Sequence, residues 1–121
     1  MTFDSFDAYC ATLPHAHRVI QWGDSHVWKV GSKLFAIASR QDVPHPFVTF
    51  KCSPMSYEML QDQPGLRPAP YLASRGMKWI QRTDATSMDD VTLQDYLRES
   101  YRLASLNLPK AEQKRLGLNQ G

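Results

Sequence analysis

The stretch from Arg18 to Ser39 limits the fold more than any other, because two glycine turns divide it into three segments of strand-like composition. The segments run from Arg18 to Trp22, from His26 to Val30 and from Lys33 to Ser39, separated by Gly23-Asp24-Ser25 and Gly31-Ser32. A two-residue loop that begins with glycine suits a type II′ turn, since glycine reaches positive φ cheaply and the twist of that turn matches its flanking strands. Such a turn predicts a register in which Val30 faces Lys33, Trp28 faces Phe35 and His26 faces Ile37, all on the side of the sheet that buries the bulk. The other side is expected to carry Val27, Lys29, Leu34, Ala36 and Ala38, and to be thinly covered or open.

The flanks read as helices and further strands. Thr2 is placed to cap a first helix in which Phe3, Phe6, Cys10 and Leu13 recur at helical spacing, with Pro14 marking its end. After the connection from Arg40 to Pro46, a loop of interest for its length, a fourth strand is expected from Phe47 to Cys52. Pro54 and Ser56 introduce a short helix that Pro64-Gly65 stops. Pro68 and Pro70 then keep the segment Leu66 to Gly76 extended and irregular, delivering Tyr71 and Leu72 to a surface. A fifth strand follows from Lys78 to Thr83. Ser87 or Asp89 caps a long last helix whose stripe of Leu93, Leu97, Tyr101, Ala104 and Leu108 packs on the sheet. Residues 110–121 form a short helix or a frayed tail. Strands bracketed by helices in this order predict an α+β domain, an antiparallel β-meander with helices packed on one face.

At 121 residues the chain fits one domain, 1–121, long enough to bury roughly 65% of its unfolded surface. No apolar run approaches the roughly 18 residues of a membrane span, and a start bearing Asp4 and Asp7 lacks signal-peptide character, so a cytoplasmic protein with no membrane partner is expected. Cys10 and Cys52 carry no CxxC spacing and read as reduced core thiols.

Charge says more by its distribution than by its net value of +2. Residues 1–60 hold five Lys or Arg against five Asp or Glu, whereas 61–121 hold nine against seven, and Arg67 to Arg82 contains no acid. Arg67, Arg75, Lys78 and Arg82, with Lys29 and Lys33 flanking the tight turn, are therefore the candidates for contact with the phosphates of DNA. Tyr71 and Trp79 lie among them and could stack bases of a single strand, although such aromatics are more often core. Helix-turn-helix, zinc-finger and Gly-rich RNA-binding signatures are missing.

Other groupings carry less. His15-Ala16-His17 lacks the third and fourth ligands that zinc requires. Asp24-Ser25-His26 has the letters of a hydrolase triad, but adjacent residues cannot orient one another in a relay. Cys52 lacks the electropositive exposed setting of a nucleophile. No metal, no cofactor and no enzymatic activity are expected.

Trp28-Lys29-Val30-Gly31-Ser32-Lys33-Leu34-Phe35-Ala36, followed by Phe50-Lys51-Cys52, Pro64-Gly65, Pro70-Tyr71-Leu72, Trp79-Ile80 and Ser100-Tyr101, resembles the YjbR/MmcQ family in order and spacing over nearly the whole chain. The resemblance implies a frataxin-like (CyaY-like) fold of topology α-β-β-β-β-α-β-α, also described as double-wing. It implies DNA binding and no established catalytic residues. Frataxin's iron chemistry does not follow from its fold, and a first helix with only Asp4 and Asp7 as acids offers no carboxylate ridge for a hard cation. The expected function is a non-enzymatic DNA-binding protein. The alternative is a protein-interaction or small-ligand adaptor that uses the thinly covered sheet face and the loop from Arg40 to Pro46.

Overall fold

Local rules set the helix starts. Thr2 and Ser5 exchange side-chain and backbone hydrogen bonds in a capping box, Ser53 caps a helix that has Pro54 in its first turn, and Asp89 accepts the Thr92 N–H. The computed structural model describes residues 1–40, 43–72 and 76–121. Its elements are α1 (Phe3–Ala11), β1 (Ala16–Gln21), β2 (Ser25–Val30), β3 (Lys33–Ser39), β4 (Phe47–Lys51), α2 (Pro54–Leu60), β5 (Leu66–Pro68), β6 (Trp79–Arg82), α3 (Asp90–Leu106) and α4 (Lys110–Leu116). The six strands form one antiparallel sheet in the order β1-β2-β3-β4-β6-β5.

The α+β class holds, with two additions to the expected topology. The tail beyond Pro109 is a helix, α4, and the segment expected to be irregular supplies an edge strand, β5. An edge tolerates Pro68 because the missing N–H faces no further strand.

Register departs from the expected one at a single place. Val30 faces Lys33 as the turn dictates, Gly31 takes φ 57°, and Ser32 stays outside the positive-φ region, as a type II′ turn requires. A Cβ on Gly31 would also lie 2.9 Å from the Leu108 side chain, so this turn has a second reason to be glycine. Lys29 then faces Leu34, but Trp28 faces Ala36, leaving Phe35 as the extra residue of a β-bulge. From there Val27 faces Ile37 and His26 faces Ala38, one position off the uninterrupted ladder.

The bulge sorts the two faces. Trp28, Val30, Phe35, Ala36, Ala38, Val48, Phe50 and Ile80 join Phe6, Cys10, Leu60, Leu93, Leu97 and Ala104 from the helices in one buried cluster. Ala36 and Ala38, expected on the open side, are therefore helix-side core residues. Ile37 moves to the open side with Val27.

Ser100 of α3 ties the bulged residue of β3 to β4. Its hydroxyl is fully buried, donates to the Phe35 carbonyl at 2.6 Å and accepts the Lys51 N–H at 2.8 Å. It thus bridges two backbone groups of β3 and β4. Next to it, Tyr101 meets Phe35 edge-on and donates its hydroxyl to the Pro14 carbonyl at 2.5 Å.

Ser100→Ala strands one carbonyl and one N–H inside the core. It is expected to destabilise the fold by about 3 kcal/mol, read as a lower urea midpoint at unchanged m.

Candidate nucleic-acid interface

Side-chain alternation puts Val19, Val27, Lys29, Ile37, Thr49, Lys51, Arg67 and Gln81 on the face away from the helices. None of the six strands contains Asp or Glu, whereas they contain Arg18, Lys29, Lys33, Lys51, Arg67 and Arg82. The acids among the described residues fall in helices and connections. The sheet is thus the cationic layer of the molecule.

The six residues singled out from the sequence do not converge on one patch. Lys29 and Arg67 lie on the helix-free face. Lys33 pairs with Val30 on the helix side, and the Lys78 ammonium sits 4.8 Å over the Tyr57 ring of α2. Arg75 lies outside the described residues. Arg82 must be withdrawn as a phosphate contact: its side chain is 7% exposed and donates to the Asp90 carboxylate at 2.9 Å and to the Asp84 carbonyl at 3.2 Å. An acid-free stretch of sequence exposed no charge here, because the neutralising carboxylate arrives from the start of α3.

Lys51 takes the vacant place. It shares the helix-free face with Lys29 and Arg67, and none of the three has a carboxylate partner among the described residues. Two strand spacings separate β2 from β4 and β4 from β5, so the three cations descend across the sheet in steps on the order of 10 Å, near the Debye length in physiological salt. The signal for Lys51 was in the sequence, since it has the same strand parity as Thr49.

A groove of about 590 Å³ opens on this face. Ser25, Ile37, Ser39, Thr49 and Gln81 form its floor, and Trp22 together with Pro70, Tyr71 and Leu72 forms its walls. The segment around Tyr71 is delivered to a surface as expected, and that surface is the open sheet face. Trp22 is 64% exposed and Tyr71 85% exposed, yet each holds a bulky side chain at positive φ, 53° and 67°. Such backbone costs on the order of 1–3 kcal/mol per residue. Trp79 is the reverse case, 3% exposed, and takes no part as a stacking surface.

The floor is ordered by Arg67, whose Nε and Nη2 both donate to Gln81 Oε1, at 2.8 and 2.6 Å. Because guanidinium only donates, the carboxamide oxygen must face Arg67, and its nitrogen then donates to Thr49 Oγ1 at 3.2 Å. Arg67 and Arg40 also share one aromatic ring: their guanidinium carbons lie over Phe47, at 5.6 and 5.0 Å from its centroid.

The remaining polar groupings are structural ties. Asp7 of α1 accepts from Arg18 at 2.9 Å and from Trp28 Nε1 at 2.9 Å, and pairs with His26 Nδ1 at 2.8 Å. His26 therefore meets Asp7 rather than its sequence neighbour Asp24. A second cavity of about 590 Å³, between Met1, His45 and Asp90, is bordered by Asp84, Asp89 and Asp90, which would repel a polyanion. Burial and the Asp7 charge push the Cys10 thiol up, and burial pushes Cys52 up to about 11, so both stay protonated. Among the described residues no three His, Cys, Asp or Glu side chains lie close enough to hold a metal ion, and no helix is long and apolar enough to cross a membrane.

A six-stranded antiparallel sheet with its helices on one face and a cationic, grooved opposite face defines the class of this protein. The sequence pattern of the YjbR family matches residues 11–103, and the chain belongs to that family. It is also similar to the crystal structure of Deinococcus radiodurans protein DR2400, a DUF419-domain protein, at 26% identity and a TM-score of 0.84, covering 99% of this chain and 91% of that one. No curated protein matches.

Two outcomes test this geometry. Trp22→Gly and Tyr71→Gly relieve positive-φ strain at exposed positions, and each is expected to hold stability level or raise it by about 1 kcal/mol in thermal denaturation. Asp90 concerns pH. Burial pushes its carboxyl up, but hydrogen bonds and charge from the Met1 ammonium and Arg82 outweigh this and hold it below its ordinary value. Its stabilisation is complete above the unfolded value of 3.8 and is lost as pH falls through the lower folded value. Asp90→Asn is expected to cost about 1 kcal/mol at pH 7, a modest figure for a half-exposed group, and to flatten the acid limb of a stability–pH curve.

Proposed function

We propose that this protein is a non-enzymatic DNA-binding protein that grips backbone phosphates across the helix-free face of its sheet, with Lys29, Lys51 and Arg67 as the contact residues. One observation carries the reading: these three cations share a face whose strands hold no acid, and none is neutralised by a carboxylate among the described residues. Helices with acids in their first turns, Asp4, Asp90 and Glu112, keep negative charge on the far side. A polyanion approaching the open face meets cations that gain from releasing its counterions, whereas on the helix side the Lys and Arg of α3 and α4 are interleaved with acids, as in the Arg102–Glu99 and Arg115–Glu112 pairs. The reading supposes a cytoplasmic protein, and it does not require a metal or a cofactor.

An adaptor role for the same face, the alternative drawn from the sequence, has less to draw on. Of the apolar residues it relied on, Ala36 and Ala38 belong to the helix-side core and Val27 is fully buried, which leaves Leu34 half-buried.

Fluorescence anisotropy with labelled single-stranded and duplex DNA across a salt series is the test. Three phosphate contacts predict a log–log slope of about −2 for a single strand and about −2.7 for a duplex. Lys29→Ala combined with Lys51→Ala should bring the single-strand slope to about −0.7, and Lys33→Ala should not change it. Undetectable binding at low ionic strength, or a slope indifferent to the double substitution, defeats the proposal.

A further inference from the structure

We infer that the groove between Trp22 and Tyr71 is a receptor for one unpaired nucleobase. This deepens the reading above and rests on it for the source of the base, single-stranded nucleic acid. The argument starts from what the groove exposes and what it hides. Its walls present two aromatic side chains to solvent, Trp22 at 64% and Tyr71 at 85%, although burial is the ordinary fate of such residues. Each is held there by backbone at positive φ, which the fold would shed by placing glycine instead. Strain kept at two positions on opposite walls of one groove points to use of the rings.

The floor is polar where a sheet face under a covering loop would ordinarily be apolar. Thr49 is 4% exposed and Gln81 is 8% exposed. Arg67 fixes the Gln81 carboxamide so that its nitrogen faces Thr49, and that nitrogen spends one of its two hydrogens on the Thr49 hydroxyl. The second N–H of Gln81 and the O–H of Thr49 have no acceptor among the described residues. The mutual bond at 3.2 Å satisfies both atoms once, and each keeps one further hydrogen beside the cavity that a ligand edge with two adjacent acceptors can take. A planar ring carrying such an edge, and faces that stack on Trp or Tyr, is a nucleobase; guanine offers neighbouring O6 and N7 and unpaired cytosine offers O2 and N3, whereas adenine and thymine place a donor beside each acceptor. A volume of about 590 Å³ admits a nucleotide with room to spare. A duplex hides base faces in its stack, so the groove favours an unpaired base and Lys51 and Arg67 lie within reach of its phosphates.

The test uses the full chain and four probes: a labelled single-stranded octamer with one central guanine, the same octamer with a central adenine, the same octamer with all bases removed, and free deoxyguanosine monophosphate. The guanine octamer is expected to bind at least roughly tenfold more tightly than the abasic one. Trp22→Ala and Tyr71→Ala should each erase most of that excess and leave abasic binding as it was. Gln81→Glu keeps an acceptor for Arg67 but removes the donors, and should collapse the ratio of guanine to adenine affinity, a readout that a purely structural residue would not move. Should deoxyguanosine monophosphate bind in a Trp22-dependent way while no octamer binds, the base receptor stands with a free nucleotide as its ligand and the DNA reading falls. Equal affinity for guanine and abasic octamers, unaffected by Trp22→Ala, overturns the base receptor and leaves phosphate binding intact. Absence of binding to all four probes removes both.

Discussion

The hydroxyl of Ser100 is where this fold is decided. The bulge at Phe35 lies between β2 and β3, and on the other side of β3 the Ser100 side chain stands between Phe35 and Lys51, donating to β3 and accepting from β4. A buried carbonyl or N–H without a partner costs about 1–3 kcal/mol, so α3 stabilises the bulged end of β3 by bringing this residue to this spot. The same contact fixes how α3 lies on the sheet. Leu93, Leu97 and Ala104 are then presented to Val48, Phe50 and Phe35 in one cluster, and Tyr101 reaches the Pro14 carbonyl ahead of β1. Ser100-Tyr101 carries the family resemblance at the far end of the chain from the β2–β3 hairpin. Physically, the two motifs are halves of one joint.

What the joint controls is the assignment of faces. Without the extra residue, Ala36 and Ala38 would look outward and Ile37 inward. With it, small residues sit under the helices, allowing α3 to approach closely, and Ile37 is sent to the floor of the groove. The helix-free face is left with Lys29, Lys51, Arg67, Thr49 and Gln81, a surface too polar to need a second layer of helices. Charge follows the same division. Acids gather at helix starts, where the dipole favours them, and the strands carry cations alone. The strands are thus acid-free, whereas α3 and α4 carry both signs, with Arg102 paired to Glu99 and Arg115 to Glu112.

Much of this was written in local sequence. Gly31-Ser32, the Thr2 and Asp89 caps and the leucine stripe of α3 each follow from a rule that acts within a few residues. The bulge does not. Leu34-Phe35-Ala36-Ile37-Ala38 is apolar throughout, so no polar alternation marks which residues face which way, and one extra residue passes unseen. Arg82 was misread for a related reason. Its run of sequence lacks acids, but Asp90 returns to it in space once α3 is laid down. Trp22 escaped notice because tryptophan beside a strand is ordinarily core, and only the positive φ at Trp22, Gly23 and Asp24 in succession shows that the turn throws it outward.

Positive φ at non-glycine residues is distributed with a bias that bears on function. Of the six such residues, Trp22, Asp24, Arg40 and Tyr71 lie at the groove or at strand ends that lead out of its floor, the β1–β2 turn and the end of β3 among them. Backbone of this kind persists only when its surroundings over-determine it. Around Trp22 the surroundings include the Ser25 hydroxyl, which donates to the Trp22 carbonyl at 3.2 Å and fixes the turn from within the groove. Had the turn served only to reverse the chain, a shorter glycine turn of the Gly31-Ser32 kind, present one strand later, would have done so without strain. The longer turn adds nothing to the core. It adds one exposed indole at the rim of a polar-floored groove, and the proposed base receptor draws on that difference between two turns of the same sheet.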